Sequence, residues 1–152
     1  MTSEFYRNIV IATDGSENTQ RAISYGIEIA KLSGAIVHAL YVVDTSSFSS
    51  IPMSSDGGWE AMFEILRKEG ERAVSAVKYQ GEAAGVEIRE VVWEGNPSNV
   101  IIEFSENNNI DLVVMGTLGK TGLDRFLLGS VAEKVVRSST VPVMVVRSGE
   151  TS

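Results

Sequence analysis

The stretch "IDLVVMGTLGKTGLDRFLLGSVAEK", residues 110–134, holds both a strand pattern and a glycine pattern. Its first eight residues hold the apolar run Leu112–Met115 and end at Gly116-Thr117, which reads as a buried strand, 110–117. Its end, from Ser130, reads as a helix with Glu133 three residues on, a capping box. Between them lie Gly119-Lys120-Thr121 and Gly129-Ser130. A Walker A loop, GxxxxGK[ST], would need glycine at 114, and Val114 stands there inside the strand. The spacing actually present is G-x2-G-x9-G-S, through Gly116, Gly119, Gly129 and Ser130. A glycine ending a strand lets a ligand approach the backbone. A helix start offers unpaired N–H groups and a dipole that attract phosphate. Both ends of the loop therefore suit one polyphosphate. The same residues also suit plain turn glycines and an ordinary cap at Ser130.

The same alternation runs outward along the chain. "NIVIAT" (8–13), "AIVHALYVV" (35–43), "VEIREVVW" (86–93) and "VPVMVV" (141–146) read as four more strands. Helical patterns fill 17–33, 59–84, a short segment opened by Asn96-Pro97, and the segment from Ser130. In the long second helix Trp59, Met62, Phe63, Leu66, Ala73, Val74 and Val77 follow the spacing of a buried stripe. Five strands and four helices in strict alternation imply one α/β domain over 1–152, with a parallel sheet covered on both faces. Two strand orders are common at this size, 3-2-1-4-5 and 2-1-3-4-5, and ligands bind where the order reverses. Only the first sets Asp14 opposite Gly116. The Ser- and Gly-rich segment 44–58 is long for a compact domain and reads as a mobile or functional loop. Residues 148–152 read as a polar tail.

Composition narrows the function. The 152 residues carry a net charge of −7 and no cysteine, and 43% are hydrophobic. The charge opposes general nucleic-acid binding. The missing cysteines exclude thiol chemistry and fit a reducing compartment. No apolar run is long enough to span a membrane, and no signal peptide is read at the N-terminus, so a cytoplasmic location is expected. The single histidine, His38, lies mid-strand and reads as a packed residue, not a catalyst. No Cys/His cluster suggests a metal site, and no Ser-His-Asp set is suggested. Trp93 and Arg147 stand near the places where a phosphorelay receiver needs an acid and a lysine. A flavin-binding electron carrier is a rival reading. "TDGSENT" (13–19) is hydroxyl-rich, and Phe48, Trp59 and Trp93 are aromatics suited to a flavin, but Asp14 and Glu17 set negative charge where its phosphate would sit.

G-x2-G-x9-G-S, together with "IVIATDGSENTQRAISYGIEIA" and the run from "WEGNPSNV" to "VPVMVV", resembles the ATP-binding branch of the universal stress protein family. The resemblance covers nearly the whole chain and is most specific in the C-terminal third. It implies a Rossmann-like α/β sandwich of order 3-2-1-4-5 with ATP between strands 1 and 4. It implies contacts from Ala12, Thr13 and Asp14, the last to ribose or to phosphate-bound Mg2+. It further implies backbone contacts from Val42 or Val43 to adenine and from Met115 and Gly116 to the nucleoside. Gly119 would meet the phosphates, as would Gly129, Ser130 and Val131. Leu118, Lys120 and Arg125 lie where the family varies. No water-positioning Gln or His stands beside the loop, so slow or no ATP hydrolysis is expected. Family members pair strand 5 across a two-fold axis, which implies a homodimer through 141–147. An interaction module in which nucleotide is only structural is the alternative.

Overall fold

A computed structural model describes residues 3–46, 58–117 and 128–148. Five strands, β1 (Asn8–Ala12), β2 (Ile36–Asp44), β3 (Ile88–Gly95), β4 (Leu112–Gly116) and β5 (Val143–Val146), form one sheet. All four strand pairings are parallel, and the order is β3-β2-β1-β4-β5. The reversal thus falls between β1 and β4, and the 2-1-3-4-5 alternative is excluded. Among the described residues four helices connect the strands: α1 (Gln20–Ser33), α2 (Gly58–Ala83), α3 (Pro97–Asn107) and α4 (Ser130–Ser138). A 3-10 turn, Glu17–Thr19, leads into α1.

Period-two alternation divides the core between the two faces of the sheet. Ile9 and Ile11 of β1 point with Leu112 and Val114 of β4 toward α1 and α2, against Ala22, Ile23, Ile27, Val74 and Val77. Val10 and Ala12 point with Val113 and Met115 toward α3 and α4, against Ile101, Phe104, Ala132 and Val135. Both faces are covered, so the strands read as continuous apolar runs. α3 starts as its sequence requires: Pro97 opens the helix, and the Asn96 side chain accepts the Asn99 N–H at 3.2 Å.

The stripe expected along α2 is buried only from Gly70 onward. Met62 is 43% exposed, and Trp59, Phe63 and Leu66 are half-buried. The reason is length. Twenty-six helical residues span roughly 39 Å, against about 30 Å for the nine residues of β2. The first turns of α2 therefore overhang the carboxyl end of the sheet.

Two positions let α2 lie close to the sheet. A Cβ on Gly70 would stand 2.5 Å from Cδ1 of the Tyr41 ring, and one on Gly81 would stand 2.2 Å from Cδ1 of Ile88. Alanine at 70 would favour the helix by about 1 kcal/mol, but the ring is rigid and enclosed and must shift as a unit. Gly70→Ala is expected to destabilise the fold by about 1–2 kcal/mol, a net overpacking cost. Urea denaturation checks this, and an unchanged or raised midpoint would contradict the close packing.

His38 is buried beneath α3, as its mid-strand place suggests. Its ring meets Phe104 edge-on at 5.7 Å, and its Nε2 donates to the Asn8 side-chain oxygen at 3.2 Å. Burial holds its pKa below the usual 6.5; nearby Arg89 lowers it further and Glu87 opposes both. The unfolded chain therefore binds this proton at higher pH than the fold does. The stability contribution is complete above 6.5 and is lost as pH falls through the folded pKa. His38 is the only histidine, so NMR follows one imidazole. We expect a titration midpoint below 6.5, and stability that declines from pH 7.5 to 5.5 less steeply in His38→Gln.

Candidate functional site

The site is built by one strand stopping early. β1 and β2 stay in register to Ala12↔Leu40, and the Thr13 N–H still donates to the Leu40 carbonyl at 2.9 Å. The chain then turns at Asp14-Gly15, where Gly15 takes φ +81°, a left-handed value that glycine adopts freely. β2 runs four residues past Leu40, held from the other side by β3 as far as Asp44↔Gly95. Along a strand, successive residues direct their backbone polar groups to alternate neighbours. Ile36 donates toward the β1 side, to the Arg7 carbonyl, while Val37 and Thr45 donate to Glu87 and Gly95 on the β3 side. The N–H and C=O of Val42 therefore face the space that β1 has vacated, whereas those of Val43 face β3.

β4 mirrors this arrangement. Its last partner pair with β1 is Ile11↔Val114, and Val113 and Thr117 donate to β5-side carbonyls of Pro142 and Val146. The backbone of Gly116 thus faces the same vacated space from the opposite side. The opening spans two strand spacings, about 10 Å. Its walls are two runs of backbone donors and acceptors with no strand between them. Ala12, Thr13 and Met115 form a nearly closed floor, at 8%, 6% and 5% exposure.

The N-terminus of α4 lies beyond the β4 wall. The Gly129 N–H donates to the Thr117 carbonyl at 2.7 Å, tying the helix start to the end of β4. Gly129, extended at φ −64° and ψ 159°, is the N-cap, and among the described residues no side chain caps the helix. This corrects the capping box expected from Ser130 and Glu133. The tether places Gly129 at the cap, so Ser130 becomes the first helical residue. Glu133 instead pairs with Arg137 at 3.3 Å. The first intrahelical bond runs from the Glu133 N–H to the Gly129 carbonyl. The N–H groups of Ser130, Val131 and Ala132 thus lie ahead of the helix's own ladder, at its positive end. The Gly129 N–H is already engaged.

Asp14 stands half-buried at the rim, and its Oδ1 accepts both the Ser16 N–H at 2.9 Å and the Ser16 Oγ–H at 2.6 Å. Its Oδ2 has no donor among the described residues. The turn-holding role read from the Asp14-Gly15 pair is present. The hydroxyls of "TDGSENT" turn inward. Thr13 and Thr19 are buried and bonded to each other at 3.2 Å. A flavodoxin-like phosphate loop would need such hydroxyls outward. Trp93 packs edge-on against Phe104 at 5.0 Å, and Trp59 stacks on Phe63.

The fold thus gathers Ala12, Thr13, Asp14, Val42, Met115, Gly116, Gly129, Ser130 and Val131 around one end of the sheet. Val43 lies in the opposite half of the core, its side chain facing α1 and α2. Leu118, Gly119, Lys120, Arg125 and Phe48 lie outside the described residues, as does most of the 44–58 segment. In the sequence Ser16 and Thr19 stand out only as members of a hydroxyl-rich run, and Thr117 only as a strand end. Their hydroxyl and backbone roles depend on partners that a linear reading does not supply. Among the described residues no group of three or more His, Cys, Asp or Glu side chains is arranged to hold a metal ion, and no helix is long and apolar enough to cross a membrane.

Comparison with known proteins agrees with this architecture. The family model described as the universal stress protein family matches residues 5–147. The chain is 49% identical over 142 residues to universal stress protein MJ0531 of Methanocaldococcus jannaschii, covering 93% of this chain and 82% of that protein. It is 29% identical over 147 residues to universal stress protein YxiE of Bacillus subtilis, covering 93% and 99%. Among solved structures it superposes on the hypothetical protein MJ0577 with a TM-score of 0.84 at 28% identity, covering 97% and 99% of the two chains. The same fold is seen in a universal stress protein solved in complex with cAMP (TM-score 0.70, 24% identity, 96% and 100% covered). It recurs in one from Archaeoglobus fulgidus in complex with dAMP (TM-score 0.67, 23% identity, 94% and 99% covered). With its sheet order, its glycine pattern and these relatives taken together, the chain belongs to the universal stress protein family.

Proposed function

We propose that this protein binds ATP in the crevice between β1 and β4 and serves as a nucleotide-dependent regulatory module in the stress response, with slow or no hydrolysis. The observation that carries this reading is the pair of open backbone edges, Val42 on one side and Gly116 on the other. A planar base needs such directional donors and acceptors at a fixed spacing. The unladdered N–H groups of Ser130 and Val131 suit phosphate oxygens, and Asp14 Oδ2, which no described residue engages, suits a ribose hydroxyl or a water of phosphate-bound Mg2+. The glycine spacing and the family support the reading, and two relatives of this fold hold adenine nucleotides. The sequence from Met115 to Lys134 contains no Gln or His to position an attacking water, which favours binding over turnover.

Mass spectrometry of nucleotide released from purified protein, with thermal shift on adding Mg-ATP, tests the proposal. We expect ATP in the released fraction and a rise in melting temperature at saturating ligand, by about 2.7 kcal/mol of added stability at a hundredfold excess over Kd. Gly129→Val and Asp14→Ala are expected to reduce both. The backbone of Gly129 lies at a φ open to any residue, so valine there reports on space at the phosphate end and not on strain. Neither released ATP nor a thermal shift would defeat the proposal.

We further propose a homodimer through the edge strand, 141–147. β4 is the only strand neighbour of β5 among the described residues. Val143, Met144 and Val145 are only half-buried there, and such apolar edges are normally covered. Light scattering at micromolar concentration is expected to give twice the monomer mass; Val145→Lys should return the monomer.

A further inference from the structure

The turn that carries Asp14 is held by buried hydroxyls that no ligand contact explains. Thr19 is 5% exposed and sits where the 3-10 turn enters α1. Its Oγ1–H donates to the Ser16 carbonyl at 2.9 Å, and its own N–H reaches the same carbonyl at 3.2 Å. With its proton committed there, Thr19 Oγ1 is left as the acceptor for the Thr13 Oγ1–H at 3.2 Å. Thr13 Oγ1 in turn accepts the Gly15 N–H at 3.1 Å. The bonds thus bridge the turn from Thr13 on one side of Asp14 to Ser16 on the other. Ser16 passes the constraint on, because its N–H and hydroxyl both hold Asp14 Oδ1.

From this we infer that Thr19 and Ser16 are positioning residues for the nucleotide site: they hold Asp14 Oδ1 in the turn and leave Oδ2 as the carboxylate oxygen that no described residue engages. The inference rests on the proposed ATP site and adds to it a specific means of pre-organisation. A carboxylate on an unconstrained turn would spread over several rotamers and present either oxygen. Held at Oδ1, it presents a single acceptor in one direction, and the ordering cost is met on folding instead of on binding. Thr19 contributes two contacts that valine, its near-isostere, cannot make. Removing its hydroxyl leaves the buried Thr13 proton without an acceptor and the Ser16 carbonyl with one donor fewer.

A double-mutant cycle on Mg-ATP affinity, measured by titration calorimetry with the intact chain, tests this. Thr19→Val is expected to weaken binding roughly tenfold, the low end for loss of a supporting contact behind a ligand-binding group. Thr19→Ser should restore it, since serine keeps the hydroxyl. In an Asp14→Ala background Thr19→Val should have no further effect, because the carboxylate it positions is gone. A merely structural threonine would instead give additive losses. Ser16→Ala, at a half-buried surface position, keeps the test available if Thr19→Val fails to fold, and it too should be silent beside Asp14→Ala. Unchanged affinity in Thr19→Val and Ser16→Ala, additive losses, or no rescue by serine would overturn the inference while wild-type binding stands. Absence of Mg-ATP binding by the wild-type chain would overturn the ATP reading and the positioning role with it.

Discussion

Everything at the candidate site follows from where β1 ends. A parallel sheet covered on both faces buries nearly all of its backbone polar groups, and each must find a partner. Within the sheet the neighbouring strand supplies them. At Thr13 the middle strand turns away while β2 and β4 continue, and the continuing strands present directed donors and acceptors to a slot two strands wide. The crevice is therefore a local interruption of the ladder, in a sheet whose order reverses at that point. The turn must be sharp, which explains Gly15 at positive φ, and firmly held, which explains the paired threonines beneath it.

The helices support this interruption from both sides. α2 can lie low over β2 and β3 only because Gly70 and Gly81 leave room for Tyr41 and Ile88. α4 is tied to the end of β4 by the bond from Gly129 to Thr117, which brings the positive end of the helix to the rim. The tether also explains why the helix begins one residue earlier than its capping-box pattern suggests. A local signal, serine followed by glutamate at the third position, yielded to a contact between residues twelve positions apart (Thr117 to Gly129).

Much of the fold was legible because its signals are local. Strand β4 is a run of large apolar residues bounded by glycine, and α3 is announced by Asn96-Pro97. The Walker reading could be discarded from Val114 alone. Less was legible along α2, where the apolar stripe continues past the end of the sheet and Met62 is left exposed. Periodicity records which residues share a helix face, but not how far the partner surface extends. The site was legible in part. Gly116 and Gly129 are visible as a spacing. The choice between Val42 and Val43 is not, since it depends on which neighbour each peptide group faces.

The sequence by itself determined the alternation of strands and helices, the buried character of the sheet, the glycine spacing around the crevice and the absence of thiol chemistry. Each of these is written in residue type and short-range period. Tertiary structure alone decided the open edges of Val42 and Gly116, the engagement of the Gly129 N–H and the inward turn of the Thr13 and Thr19 hydroxyls, and it bore out the strand order 3-2-1-4-5 that the family resemblance implies. These depend on pairings between segments far apart in the chain, and a hydrogen-bonding group shows whether it is spent or free only when its partner is in place.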